Sequence, residues 1–139
     1  MRKIVLDTNC LLASISSRSV FFDVWRGLHG GCYVLCVSNE ILEEYEEVIA
    51  AKASIEVAEN VINALVDSDY VEFVDPQFHL GLITVDPDDN KFVDCAFASN
   101  ATFIVSNDRH FNILSSIDFP KINVLKIQAF LALLRQSAT

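Results

Sequence analysis

Short apolar runs alternate with amphipathic stretches along most of the chain. Apolar runs bounded by polar or turn residues are typical of buried strands, and they lie at residues 4–6, 32–37, 70–74, 102–105 and 122–125. Apolar residues spaced three or four positions apart predict helices, at residues 9–15, 20–28, 54–66 and 89–100, after Ser38 and from Ile127 onward. Helices that alternate with short strands predict a mostly parallel sheet covered on both faces. The predicted fold class is α/β, with a three-layer α/β/α architecture.

Turn residues mark where some of these elements end. Gly30 and Gly31 stop the second helix, and Asp75 with Pro76 stops the third strand. Residues 77–85 carry no recognisable pattern. The sequence contains no repeat and no linker, so we expect a single domain over residues 1–139.

The composition predicts a compact cytoplasmic protein with no membrane partner. Apolar residues make up 52 %, and no uninterrupted apolar run approaches the roughly 18 residues of a membrane span. Asp7 falls where a signal peptide would be apolar. Cys32 and Cys36 would lie about 13 Å apart on one strand, which is too far for a disulfide. No cysteine pair has the spacing of a zinc site, so we expect buried free thiols.

The net charge of −9 argues against a passive nucleic-acid binder, because such proteins usually carry a basic surface. It does not exclude a nuclease, since bound divalent cations offset the charge of a site built from carboxylates. The net charge alone therefore leaves the function open.

Two aspartates follow predicted strands that are distant in sequence. Asp7 comes directly after the strand at 4–6, and Asp108 comes two residues after the strand at 102–105. Ligand sites in open parallel sheets form beyond the carboxyl ends of the strands, so both carboxylates are expected at one edge. Either aspartate could instead only cap the helix that follows it, as aspartate commonly does.

The helix after Ser38 carries five glutamates, and its geometry limits which of them can face a cleft. At about 100° per residue, the apolar stripe centres on Tyr45. Glu44 and Glu46 then lie at its two borders, and only a border position reaches from a packed helix into a cleft. Geometry leaves these two as alternatives, and either could also be a solvated surface residue.

The densest run of acids lies at residues 86–94. Asp88 or Asp89 is expected to cap the helix that begins there. Asp89 lies at the inner, N-terminal edge of that helix, and Asp94 lies on a neighbouring face. Asp89 is therefore the better direct ligand, and Asp94 is a further ligand or a supporting group.

Three or four carboxylates without a histidine or cysteine partner favour a hard cation such as Mg²⁺ or Mn²⁺. Such a cation polarises a phosphodiester and lowers the pKa of bound water. Without it, the acids would repel one another and some would stay protonated. The carboxylates therefore predict metal-dependent chemistry on a phosphate ester.

Four segments, taken in order, resemble the PIN-domain nucleases. They are Asp7-Thr8-Asn9 after the first strand, Glu44 before an aromatic residue, the run Asp86-Pro87-Asp88-Asp89-Asn90-Lys91-Phe92, and Ser106-Asn107-Asp108 before His110-Phe111. They span the chain from residue 4 to about 111 in the expected order and spacing, and this combination is fairly specific.

The resemblance implies a PIN-like, 5′-nuclease-like fold and a Mg²⁺- or Mn²⁺-dependent ribonuclease, often the toxin of a bacterial toxin–antitoxin pair. It assigns an acidic tetrad, which is Asp7, Glu44, Asp89 and Asp108. Asp94 matches a further acid, and Glu44 is favoured over Glu46. The implied partners are an RNA substrate, a cognate antitoxin and further copies of the chain in a homodimer or larger homo-oligomer. Helix 20–28 and the last helix are the candidate interfaces.

Polar and basic residues near the acids are expected to support the site or to orient phosphate. They are Asn9, Asn90, Lys91, Ser106 and Arg109, with Arg18 as a further basic candidate. The basic residues are few and scattered, so no RNA-binding surface is visible in the sequence.

Two other functions stay open. One is a binding module that keeps the fold but performs no chemistry, which the complete set of acids argues against. The other is a Mg²⁺-dependent phosphatase or phospho-acceptor domain. A haloacid-dehalogenase-type phosphatase would have a second acid two residues after Asp7, and this chain has Asn9 there.

Overall fold

A parallel sheet of five strands forms the centre of the computed structural model, which describes residues 1–137. The strands are β1 (Lys3–Leu6), β2 (Val34–Val37), β3 (Val71–Phe73), β4 (Phe103–Val105) and β5 (Val124–Leu125). Their order is β3-β2-β1-β4-β5, and every pairing is parallel. The helices of this region are α1 (Thr8–Ser14), α2 (Phe22–His29), α3 (Asn39–Lys52), α4 (Ile55–Asp67), α5 (Asn90–Ser99) and α6 (Ile127–Ser137). The predicted α/β fold class is confirmed.

Both faces of the central strands are packed against other elements. The consecutive residues Ile4, Val5 and Leu6 of β1 are all buried, and consecutive strand residues point to opposite faces of a sheet. Helix α5 packs directly against β1, β2 and β4. No helix in the described region is long and apolar enough to cross a membrane.

Local sequence signals explain where several elements begin and end. Ser38 caps α3 by accepting a hydrogen bond from the backbone N–H of Ile41 at 3.3 Å, and Ser54 caps α4 in the same way. Gly31 has a φ of +75°, and a Cβ at this position would lie 2.8 Å from the ring of Tyr70. Only glycine fits this turn between α2 and β2.

Asp89 occupies the N-cap position of α5, as one of the two predicted alternatives, but the details of the capping differ from the prediction. A 3₁₀ turn (Pro87–Asp89) precedes α5, and the carboxylate of Asp86 caps this turn by accepting from the backbone N–H of Asp88 at 3.2 Å. Asp89 forms no capping hydrogen bond with its side chain. Its carboxylate is therefore available to the site described below.

Other boundaries shift, and one helical segment was not predicted. Helix α2 begins two residues later than the predicted helix at 20–28, and β5 covers only the last two residues of the run at 122–125. A 3₁₀ helix (Arg109–Ser116) fills the connection from β4 to β5. Its start is capped by Asp108, whose carboxylate accepts from the backbone N–H of His110 at 2.9 Å.

Candidate metal centre at the carboxyl edge of the sheet

The direction of strand addition reverses between β1 and β4. The chain first builds β2 and β3 on one side of β1, and it then crosses over to place β4 on the other side. In open parallel sheets, the crevice beyond the carboxyl ends at such a reversal is the usual ligand site. Asp7 directly follows β1 and Ser106 directly follows β4, so the fold brings both residues to this crevice.

Asp7 and Ser106 are in direct contact. The hydroxyl of Ser106 donates to Asp7 Oδ2, while Asp7 Oδ1 accepts from the backbone N–H of Cys10 at 2.8 Å and caps α1. Ser106 Oγ also accepts from the backbone N–H of Asp108 at 3.0 Å. Asp7 therefore both caps a helix and belongs to the crevice, and Ser106 positions the acids that follow the two strands.

A histidine links the acids that come from β4 and from α5. His110 Nδ1 lies 3.4 Å from Asp108 Oδ1 and 3.2 Å from Asp89 Oδ2. Asp86, Asp89 and His110 each offer a ligand atom, and these atoms lie within 4.8 Å of one another. Neither His110 nor Asp86 was expected at the site, although both lie within the motifs that the sequence presents.

Asp89 resists ionisation in the absence of a cation. Burial raises its pKa, and the neighbouring carboxylates of Asp108 and Asp86 raise it further. The hydrogen bond from His110 acts in the opposite direction, and the resulting pKa is about 6. Metal binding at this carboxylate would therefore compete with a proton below about pH 6.

Glu44 joins the crevice from α3 through two side-chain contacts. The hydroxyl of Thr8 donates to Glu44 Oε2, and Lys91 Nζ pairs with Glu44 Oε1 at 2.7 Å. Glu46, the other border position of α3, is exposed. The structure thus places Glu44, and not Glu46, beside Thr8, the residue that follows Asp7.

Lys91 neutralises an acid instead of being free for phosphate. Burial lowers the pKa of Lys91, but the hydrogen bond and the charge of Glu44 outweigh burial and raise it overall. The Lys91 side chain is only 13 % exposed. The structure therefore assigns Lys91 to Glu44, and a phosphate contact would require this ion pair to open.

A buried tyrosine joins the two elements that carry Asp7 and Glu44. Tyr45 is fully buried, and its hydroxyl donates to the backbone carbonyl of Leu6 at 2.6 Å. Because Leu6 precedes Asp7 and Glu44 precedes Tyr45, this one bond fixes α3 against the end of β1. It sets the separation of two carboxylates of the predicted tetrad.

A cavity of about 310 Å³ opens over the acids that follow β1 and β4. Its lining residues are Asp7, Asn9, Cys10, Ala13, Phe21, Asn107, Asp108 and Ile127. Asn9 is exposed at this opening, which suits the expected role in orienting a ligand. Burial and the nearby carboxylate of Asp7 raise the pKa of the Cys10 thiol, so this cysteine stays neutral.

Asp94 and Asn90 hold the segment at 77–85 against α5. Asp94 Oδ1 accepts from the backbone N–H of Leu80 at 3.0 Å, and Oδ2 lies 3.3 Å from His79 Nδ1. Asn90 exchanges two hydrogen bonds with the backbone of Ile83, at 2.9 and 2.8 Å. In the described residues, neither side chain contacts the tetrad acids. The expected ligand role of Asp94 stays a prediction.

The donors at the crevice fit a hard divalent cation. Asp7, Asp89 and Asp108 come from three separate parts of the chain and are linked there through Ser106 and His110, and Glu44 is bonded to Thr8 next to Asp7. Burial, and to a lesser extent the charges of Asp108 and Asp86, raise the pKa of Asp89, and a bound cation would offset both effects. Oxygen donors favour Mg²⁺ or Mn²⁺, and the imidazole of His110 is a donor that Mn²⁺ accepts more readily than Mg²⁺.

We expect Asp89→Asn to stabilise the metal-free protein above pH 6. The pKa of Asp89 is about 6 in the folded chain and about 3.9 when unfolded. The folded state therefore holds this proton more tightly, and stability falls as the pH rises from about 4 to about 6. The asparagine side chain carries no charge at any pH. The melting temperature of the variant should therefore exceed that of the wild type by a few degrees at pH 8 and by little at pH 4.

The matched control for this prediction is Asp69→Asn, because Asp69 is exposed and lies before β3. Thermal denaturation in a chelating buffer across this pH range compares the two variants with the wild type. If the melting temperature of Asp89→Asn rises equally at pH 4 and pH 8, or if that of the control also rises, the buried charge of Asp89 is not the cause of the stabilisation.

Comparison with known proteins places this geometry in a family. A family model described as "PIN domain" matches residues 3–110, which include β1 to β4 and every acid of the predicted tetrad. A search of curated protein sequences returns no match to the chain.

Solved structures with the same fold share few residues with this chain. VapBC2 from Rickettsia felis, bound to a DNA fragment from its promoter, matches with a TM-score of 0.61 and 16% identity, covering 89% of this chain and 98% of that one. DNA-bound VapBC from Salmonella typhimurium matches with a TM-score of 0.58 and 19% identity, over 91% and 99%. The PIN domain of RRP44 from T. brucei matches with a TM-score of 0.54 and 13% identity, over 99% and 84%.

Proposed function

Because the chain belongs to the PIN domain family, we propose that it is a divalent-metal-dependent endoribonuclease that hydrolyses RNA phosphodiester bonds, with residues 1–139 acting as one domain. The observation that carries the proposal is the meeting of Asp7 and Asp108 at the strand reversal, with Asp89 joined to Asp108 through His110. Capping explains one carboxylate oxygen each of Asp7 and Asp108, but it does not require Asp89 to lie beside Asp108 or Glu44 to lie beside Thr8.

The residues of the crevice would divide the work between them. Asp7, Asp89 and Asp108 would hold Mg²⁺ or Mn²⁺, with Glu44 as the fourth acid of the tetrad. When bound, the cation supplies Lewis-acid stabilisation of the phosphodiester and lowers the pKa of a water molecule. Ser106 keeps Asp7 oriented, and Thr8 keeps Glu44 oriented. The fixed donor geometry would align the phosphate with the attacking water.

The toxin half of a toxin–antitoxin pair is the biological role we propose. The VapBC2 and VapBC structures from the two bacteria are described as DNA-bound, and this chain shares their fold. A cognate antitoxin is therefore the proposed protein partner, together with a second copy of the chain. Arg135 of α6 lies 3.4 Å from Asp23 of α2, so the two helices proposed as self-association surfaces pack together.

The cytoplasm is the compartment we propose. All four cysteines of the chain are free, as is usual where thiols are kept reduced. The expectation that all of them are buried was wrong for Cys32, which is exposed before β2. Burial raises the pKa of the Cys36 thiol to about 11 and that of the Cys95 thiol to about 12. These cysteines behave as apolar core residues.

Chelation and metal readdition test the proposed activity. In EDTA, the purified chain should leave a mixed single-stranded RNA intact, because the acids alone repel a phosphate. Addition of Mg²⁺ or Mn²⁺ should restore cleavage and yield 5′-phosphate and 3′-hydroxyl ends. Gel analysis of end-labelled RNA measures both results. Folded protein that binds the cation and yet cuts no RNA would favour the non-catalytic module.

A further inference from the structure

A second and larger cavity continues from the proposed nuclease site. This cleft, of about 500 Å³, lies between the end of β4, the 3₁₀ helix at 109–116 and β5. Asn107 and Asp108 line both this cleft and the cavity over Asp7. The two cavities therefore meet at the last acid of the proposed tetrad.

Three cations line the cleft, in a chain that has ten lysines and arginines and a net charge of −9. They are Arg109, Lys121 and Lys126, and all three are exposed. Asp108 is the one acid in the same lining. The cleft is thus a local region of positive charge next to an acidic site, and it would attract an anionic chain towards the carboxylates.

In the part of the chain that the structure describes, no ion pair joins these three cations to a carboxylate. Among the described residues, the ion pairs of lysine and arginine use other partners, namely Lys3 with Glu72, Lys91 with Glu44, and Arg26 and Arg135 with Asp23. No such pair involves a cation of the cleft. A cation without a carboxylate partner can bind phosphate without first breaking an ion pair.

The rest of the lining suits a nucleotide. Asn107, Asn112, Asn123 and Ser115 line the cleft, and their side chains donate and accept hydrogen bonds as ribose hydroxyls and base edges require. A cavity of this volume lies within the range of small-molecule sites, so it can hold a segment of a strand.

We propose that the cleft of Arg109, Lys121 and Lys126 holds the single-stranded RNA on one side of the phosphate to be cut. This inference rests on the proposed ribonuclease function, and it adds Lys121 and Lys126, which the sequence did not reveal, to Arg109, which the sequence already suggested. Lys121 and Lys126 flank β5 and bind phosphates of the RNA strand. Arg109 binds an RNA phosphate next to Asp108.

Salt-dependent binding of RNA tests the cleft. The Asp7→Asn chain serves as the binding form, and fluorescence anisotropy measures its affinity for a short labelled single-stranded RNA over a series of salt concentrations. Each phosphate contact to a single strand contributes about 0.7 to the slope of log K against log salt. The added pair Lys121→Gln and Lys126→Gln should lower that slope by about 1.4, which weakens binding roughly 25-fold at 0.1 M salt.

A matched pair of substitutions controls for total charge. Arg2→Gln and Lys52→Gln remove the same two charges from exposed positions outside the cleft, and Arg2 precedes β1 at the opposite edge of the sheet. This control should keep the parent slope. If both double variants lower the slope equally, or if neither changes it, the cleft is not the RNA-binding site.

The outcomes separate this inference from the proposed activity. If the wild type cuts no RNA while the Asp7→Asn chain binds it with the expected dependence on Lys121 and Lys126, the nuclease proposal fails and the cleft stands as an RNA-binding site. If the wild type cuts RNA and the two lysines do not matter, the nuclease proposal stands and the cleft fails. A chain that binds no RNA at all overturns both.

Discussion

Replacing Asp7 with asparagine is expected to lower the rate of RNA cleavage by roughly 10²–10³-fold, because a metal-holding carboxylate supplies several kcal/mol of transition-state stabilisation. The fold should survive. Asp7 caps α1 through Oδ1, and asparagine is an equally good capping residue. The amide oxygen keeps the capping bond, and the amide NH2 takes the place of Oδ2, where it donates to the hydroxyl of Ser106. Cleavage rates at saturating Mn²⁺, together with circular dichroism, measure the loss of activity and the retention of structure.

The control is again Asp69→Asn, which removes one exposed carboxylate at the opposite edge of the sheet. It should cut at the wild-type rate. An Asp7→Asn chain that also cuts at the full rate would remove the carboxylate crevice from the mechanism. A loss of helical signal in the Asp7→Asn chain would instead mean that the capping role of Asp7 dominates.

Tyr45→Ala is expected to cost about 3–5 kcal/mol of unfolding free energy, as other large buried aromatic truncations do. Tyr45 is fully buried, so the smaller side chain leaves a cavity in the core. The total free energy of unfolding of a domain of this size is about 5–15 kcal/mol. The loss should therefore lower the melting temperature by roughly 10–20 °C. Urea denaturation of the purified variant measures the loss.

Tyr45→Phe separates the ring from the hydroxyl. This variant keeps the packing but removes the hydrogen bond to the carbonyl of Leu6, so it should cost only about 1–2 kcal/mol. It should also slow RNA cleavage more than stability alone explains, because the link between α3 and β1 is lost. A Tyr45→Ala chain within about 1 kcal/mol of the wild type would contradict its place in the core.

The acids that follow strands were predictable because of a simple geometric rule. Asp7 and Asp108 each come after an apolar run, and parallel strands bring their carboxyl ends to one edge. The apolar stripe of α3 reduced the five glutamates that could face the cleft to two, Glu44 and Glu46. The structure agrees with the predicted stripe, because Tyr45 at its centre is buried. Packing against Thr8 and Lys91, which no helical periodicity encodes, then distinguishes Glu44.

Other parts of the site depend on irregular backbone, which periodicity does not describe. Asp94 was predicted to be either a further ligand or a supporting group, and its helix face does not reveal that residues 77–85 fold back onto it. His110 reaches Asp89 only because a 3₁₀ turn and a 3₁₀ helix set the two side chains close together. Lys121 and Lys126 become neighbours of Asp108 through the edge strand β5.

The pairing of β1 with β4 has a consequence for the time at which a newly made chain becomes active. Ser106 and Asp7 are 99 positions apart, so the ribosome must add all the residues between them before the first acid can meet its partner. Until then, β1 has only β2 beside it, and the crevice lacks one wall. If the chain is the proposed nuclease, it stays harmless to the transcript being translated until β4 has been made. Arrested nascent chains that end before residue 103 should therefore show no cleavage, however much metal is supplied.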